Sequence, residues 1–206
     1  KTIVSDNVVI RADAVATGDG GQVIIWSDDF THFSGDISAV GGSVSGDGGF
    51  VEVSGKQDLN FTGFVDVSTV NGSIGTLLLD PATIDVSSNT GTVDSTLIGQ
   101  GGIINFADFA GQSGTLGANT ISSLLTVGNV ILQADISITF DITSGIFQSS
   151  AVGALIIQSQ NVDIQLSTPS SMSIFNGATK IPIEVTASTF SFPGATEGTD
   201  FFLFPI

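Results

Sequence analysis

The sequence predicts an all-β chain wound as a β-solenoid, and three observations carry the prediction. The block GDGGQVIIWSDDFTHFSGDISA at 18–39 recurs as GDGGFVEVSGKQDLNFTGFVDV at 46–67. Gly18 falls on Gly46, Phe33 on Phe61 and Gly35 on Gly63, a gap-free offset of 28 (46 − 18). Apolar and polar residues alternate with period two inside each copy, the signature of strands with one buried face. Finally, 26 glycines punctuate runs of Val, Ile, Thr, Ser and Phe, a composition of short strands and tight turns. A unit of this size cannot bury its apolar face alone and must stack on a neighbour.

Each element follows from this pattern. Val8 to Ala12, after the turn signal Ser5-Asp6-Asn7, reads as a strand of the first coil. In the second copy Val51 and Val53 flank Glu52, Leu59 and Phe61 flank Asn60, and Val65 and Val67 flank Asp66, giving three strands and a triangular coil. The same frame in the first copy turns Val23, Ile25, Thr31, Phe33, Ile37 and Ala39 inward and Ile24, His32 and Ser38 outward. A degenerate third copy, GSIGTLLLDPATIDV, is shifted by two: Gly72 follows Gly46 by 26 (72 − 46), Leu77 and Leu79 take the inward places, and Leu78 takes that of outward Glu52. The expected core ladder is Val23, Ile25, Phe33, Val51, Val53, Phe61, Leu77 and Leu79.

The predicted division is coils over 1–86, an irregular insertion or arm over 87–119, a short helix and further coils over 120–170, and a cap or exchanged strand over 171–206. In the arm, Ile103-Ile104-Asn105-Phe106 can fold back as a strand and cover the two-sided apolar strand at Leu77–Leu79. Thr120 to Gly128 reads as a helix capped by Thr120 and ended by Gly128. Beyond it NVILQADISITFD, GALIIQS and NVDIQLS resume short strands, with Ile138, Ile156 and Ile164 continuing the stack. Six or seven coils are expected in all, or ~30 Å of stack at the ~4.8 Å strand spacing. Phe190, Phe192, Phe201, Phe202 and Phe204 crowd the last stretch. They read as a cap over an open core, with strand donation to a neighbouring molecule as the sharper alternative. In that alternative Phe201, Phe202, Leu203, Phe204 and Ile206 meet Ile3 and Val4 of the next copy.

Composition narrows the function. Four basic residues stand against 20 acidic ones, a formal charge of −16, so phosphate-bearing partners are repelled and nucleic acid is excluded. There is no cysteine, hence no disulfide and no thiolate metal site. No apolar run reaches the ~18–20 residues of a membrane helix, so membrane insertion is not expected. The opening KTIVSDNVVI has no signal-peptide pattern, which places any export signal on a segment outside this sequence.

Candidate chemistry is sparse. Asp28, Asp29, Asp47, Asp58 and Asp66 could pair as acid and base on a polysaccharide, but the outward residues near them offer only Lys56 and His32 as cations. Surface aspartates of a solenoid ordinarily shape turns, and no G-x-S-x-G accompanies His32, so no catalytic residue is assigned. The two GDGG turns complete neither a phosphate loop nor the calcium β-roll repeat. They read as β-turns in which Asp19 and Asp47 bond their own backbone while the glycines take positive φ; no cofactor is expected beyond loosely held Ca²⁺ on the acidic surface. Outward Trp26, His32 and Phe64 make a candidate ligand face for glycan or host protein.

Residues 1–140 resemble the filamentous-haemagglutinin-like exoproteins of Gram-negative bacteria and cyanobacteria, the two-partner-secretion adhesins. The resemblance rests on Gly20-Gly21 with Val23-Ile24-Ile25-Trp26-Ser27, on Gly46 to Gly55, on Leu77-Leu78-Leu79-Asp80-Pro81 and on TISSLLTVGNVILQADISITF, in that order. It implies a right-handed parallel β-helix, export through an outer-membrane transporter to the cell surface or medium, and a role in adhesion, aggregation or surface structure. That family's amino-terminal secretion domain, with its Asn-Pro-Asn-Gly type motif, has no counterpart here, which implies an internal or processed portion of a longer precursor. The expected function is a structural and adhesive subunit of a surface fibre or matrix, self-associating by end-to-end stacking or strand addition. The alternatives are a monomeric adhesin module and, less favoured, a polysaccharide-active enzyme.

Overall fold

The computed structural model describes residues 1–87, 115–142, 152–166, 174–176, 179–181 and 183–191. Ten strands come before the arm: β1 (Thr2–Val4), β2 (Val9–Arg11), β3 (Gln22–Ser27), β4 (Phe30–Phe33), β5 (Asp36–Ser38), β6 (Phe50–Gly55), β7 (Asp58–Phe61), β8 (Phe64–Asp66), β9 (Thr76–Leu79) and β10 (Thr83–Ser87). After it come β11 (Thr115–Gly117), helix α1 (Ala118–Leu124), β12 (Asn129–Ile142), β13 (Leu155–Leu166), β14 (Ile174–Asn176), β15 (Thr179–Ile181) and β16 (Ile183–Ser191). The strands stack in parallel as a β-solenoid of about four turns. Only β14 and β15 pair antiparallel among those described.

The three faces foreseen in the repeat are three sheets. One is β1-β4-β7 and another β2-β5-β8, while the largest carries β3-β6-β9-β12 in order and continues through β13 to β16. Register follows the repeat: Val23 pairs with Val51, Phe33 with Phe61 and Ile37 with Val65, all 28 apart (51 − 23). The two-residue slip is equally real, since Val51 pairs with Leu77 and Val53 with Leu79, 26 apart (77 − 51). Inward residues therefore form columns. Val51, Leu77, Val130 and Leu155 make one, Val53, Leu79, Leu132 and Ile157 another, all buried, with Val23 and Ile25 packed more openly at the β3 edge. Each such buried side chain contributes on the order of 1.5–3 kcal/mol.

The triangle changes after the third coil. Helix α1 packs against β8, β11 and β12, where a fourth strand of the β2-β5-β8 face would lie, and buries Ala118, Ile121 and Leu124. Strand β11, the last part of the predicted arm, pairs with β10 and contacts β7. Ile103 to Phe106 lie outside the described residues. Strand β12 pairs first with β9 and then with β10, turning the corner that Pro81 marks in the coil below.

Several expectations change accordingly. The helix begins at Ala118 with Gly117 as its cap and no side-chain capping bond, so Thr120 is inside it, and Leu125 rather than Gly128 closes it. NVILQADISITFD lies in one continuous strand, β12, and Leu155 to Leu166 form another, β13, with a register irregularity between Ala134 and Ser137. Ile138 is buried as foreseen, but Ile156 sits on the opposite phase from buried Leu155 and Ile157. The described residues make about four turns, and β12 and β13 are long strands of one sheet where separate short strands were expected. Residues 183–191, within the predicted cap or exchanged strand, form β16 and pair with β13.

Candidate functional site

The GDGG corners stack into a groove of ≈ 560 Å³ at the start of β3, β6 and β9. Its construction is local. Gly20 and Gly48 line it with bare backbone, because a Cβ on either would meet the carbonyl oxygen of Ala39 or Val67, and half-buried Phe50 stands beside them. Gln22 and Thr76 flank Phe50 in register, and Asp47 and Ser73 form the loop-side wall. An aromatic surface with an amide, two hydroxyls and one carboxylate around it suits a polyhydroxylated ligand.

The turn chemistry differs from the expected β-turn. Asp19 Oδ1 accepts the N–H of Asp47 at 2.8 Å, and Asp47 Oδ1 accepts the N–H of Ser73 at 2.7 Å, so each carboxylate ties its corner to the next coil rather than to its own backbone. Positive φ belongs to the first glycine of each motif, Gly18 at 120° and Gly46 at 137°, and not to the glycine pair. The pair is required by crowding: a Cβ on Gly49 would lie 2.2 Å from the Gly21 carbonyl oxygen. Coil stacking at the corner, and not turn type alone, selects these residues.

The sequence-predicted ligand face does not assemble. Trp26 is exposed on β3 of the large sheet, Phe64 on β8 of another sheet, and His32 is fully buried on β4. Period two correctly separates His32 from inward Phe33, but phase says which side a residue faces and not whether that side meets water. His32 sits between Ile3 and Asn60 in the sheet, and its Nε2 lies 2.7 Å from Ser34 Oγ. Burial pushes its imidazole below the usual histidine range. Among the proposed polymerisation residues, Ile3 is half-buried and Val4 buried within β1, and Phe201, Phe202, Leu203, Phe204 and Ile206 lie outside the described residues.

The weighed carboxylates are dispersed into structural tasks. Asp58 Oδ1 accepts the Leu59 N–H, Asp66 Oδ1 that of Ser68, and Asp29 lies 3.5 Å from Lys1 Nζ. Sequence reading missed a different trio. Burial pushes the Asp80 carboxyl above its usual range, with the nearby carboxylates of Asp135 and Glu52 adding to the effect. The signal was present in LLLDP, where Asp80 sits two residues beyond outward Leu78, but only pairing of β9 with both β6 and β12 brings the three acids near one another. Among the described residues, no group of three or more His, Asp or Glu side chains is arranged to hold a metal, and no helix is long and apolar enough to cross a membrane.

No protein-family model and no curated protein matches the chain.

Proposed function

We propose that this chain is a structural and adhesive segment of an extracellular surface protein, a rod that self-associates into a fibre or matrix. The observation that supports it is the in-register parallel stack. The large sheet runs from β3, which pairs only with β6 among the described strands, to β16, which pairs only with β13. The column headed by Val23 reaches Ile183 at the far edge and that headed by Ile25 reaches Val185, so successive copies can continue both columns head to tail. Such a contact is heterologous and does not close, which produces filaments. The motif resemblance to two-partner-secretion exoproteins adds export through an outer-membrane transporter and location at the surface of a Gram-negative bacterium or cyanobacterium. Negative-stain microscopy tests the reading: fibres that lengthen with protein concentration are expected, and isolated short rods at every concentration refute it.

A second reading, a monomeric binding module, is favoured by the groove beside Phe50. A neutral oligosaccharide fits its lining, since Asp47 is the only charged group there among the described residues and would repel an anionic chain. Calorimetry with neutral and acidic oligosaccharides tests it, with heat expected from the neutral set and lost in Phe50→Ala.

A further inference from the structure

Three dipeptides with a described glycine follow the Asx-Gly pattern: Asp19-Gly20, Asp47-Gly48 and Asn71-Gly72. Such pairs are prone to imide formation, because an unhindered glycine nitrogen can reach the preceding side-chain carbonyl carbon. The reaction needs that nitrogen to lose its proton and attack, so a glycine N–H held in a hydrogen bond is protected. The three sites differ in this respect. Gly20 donates to the Asp47 carbonyl at 2.8 Å and Gly48 to the Ser73 carbonyl at 2.9 Å, whereas the Gly72 N–H makes no hydrogen bond among the described residues.

Asn71, Gly72 and Ser73 are all exposed, so water reaches the site. The glycine is also imposed by the stack: a Cβ at position 72 would lie 2.3 Å from the Gly46 carbonyl oxygen and 2.7 Å from Asp47 Oδ1. Close packing of the second and third coils thus requires the residue that makes the preceding asparagine labile.

We propose that Asn71-Gly72 is a self-modifying site. The Gly72 nitrogen attacks Asn71 Cγ; the new N–C bond forms as the Cγ–Nδ2 bond breaks, and ammonia leaves with the proton given up by Gly72. Water then opens the five-membered imide at either carbonyl, leaving aspartate or isoaspartate at position 71. The change acts on a clasp between coils. Asn71 Nδ2 donates to the Val44 carbonyl at 3.0 Å and the Asn71 carbonyl accepts the Gly46 N–H at 3.1 Å. A carboxylate cannot donate to Val44, and isoaspartate adds a methylene to the main chain that displaces the carbonyl facing Gly46. The product loosens the joint between the coils and adds one negative charge beside Asp47, at the rim of the groove.

The test is incubation of the folded chain at mildly alkaline pH, followed by peptide mass mapping and isoaspartate-specific methylation. The expected result is conversion at Asn71 several-fold faster than at any other described asparagine, with Asp19 and Asp47 forming isoaspartate only when the chain is unfolded in urea. The acidic charge variant that accumulates in the parent chain is expected to be absent from Asn71→Gln. Persistence of intact Asn71 over a period in which the urea-unfolded chain converts overturns the proposal. So does isoaspartate at Asp19 or Asp47 appearing as fast as at Asn71 in the folded chain, or an unchanged rate of acidic-variant formation in Asn71→Gln.

Discussion

The rings of Phe33 and Phe61 stack one coil apart, with centroids 5.3 Å apart and planes 17° from parallel. Both are buried, and their backbones are directly paired between β4 and β7. The repeat offset is therefore expressed as a physical contact in the core. Removing one ring leaves a cavity and an unstacked partner, so Phe61→Ala is expected to destabilise the fold by about 3–5 kcal/mol. Urea denaturation measures this. A double-mutant cycle with Phe33→Ala is expected to show coupling of about 0.5–1.5 kcal/mol from the ring pair itself.

The glycines of the corner are required for two different physical reasons. Gly18 has a φ of 120° with open space around it, whereas Gly49 has other atoms where a Cβ would go. Gly18→Ala is expected to cost about 1–2 kcal/mol through backbone strain. Gly49→Ala is expected to cost more and to lower the urea midpoint further, because the 2.2 Å approach to the Gly21 carbonyl oxygen cannot be relieved by a side-chain rotation.

Asp47 ties the second coil to the third through the Ser73 N–H. Asp47→Ala is expected to lower stability by about 1 kcal/mol, and Asp47→Asn, which keeps an acceptor oxygen, by less. Amide hydrogen exchange at Ser73 is expected to accelerate in the alanine variant and to remain slow in the asparagine variant.

Two groups give the chain a pH dependence of opposite sign. His32 is held below its usual range by burial, so on acidification the unfolded chain takes up a proton before the folded one. Its contribution is complete above the unfolded value of 6.5 and is lost as pH falls below it towards the depressed folded value. His32→Gln is expected to flatten that part of a stability-versus-pH curve.

Asp80 is the converse. Its folded pKa is raised by burial and by Asp135 and Glu52, so the folded chain holds the proton more tightly, and stability is lost as pH rises from the unfolded value of 3.8 through the raised folded value. Asp80→Asn is therefore expected to raise the melting temperature at neutral pH, with the gain vanishing below 3.8.

Much of the solenoid was legible in the sequence, because coil stacking forces chemically similar residues into register. The offset of 28, the slip to 26, the three faces and the inward columns through Val51, Val53, Leu77 and Leu79 are written in the repeat, and the structure pairs those residues as the repeat requires. Beyond the third copy the pattern no longer carries spacing information, and the phase of Ile156 is not legible because its neighbours are apolar on both sides.

By itself the sequence determined the repeat, its register and its core, since period-two alternation and a fixed offset are local properties of the chain. Tertiary structure decided what those properties leave open. It buried His32 on an outward phase, separated Trp26 from Phe64, substituted helix α1 for a strand on the third face, and turned the glycine corners into a groove. It also joined Asp47 to Ser73 and left the Gly72 N–H without a partner among the described residues. The physical reason is common to all of these. Alternation fixes the side of the sheet to which a residue points, whereas exposure, hydrogen bonding and charge proximity depend on which distant segment is packed against that side.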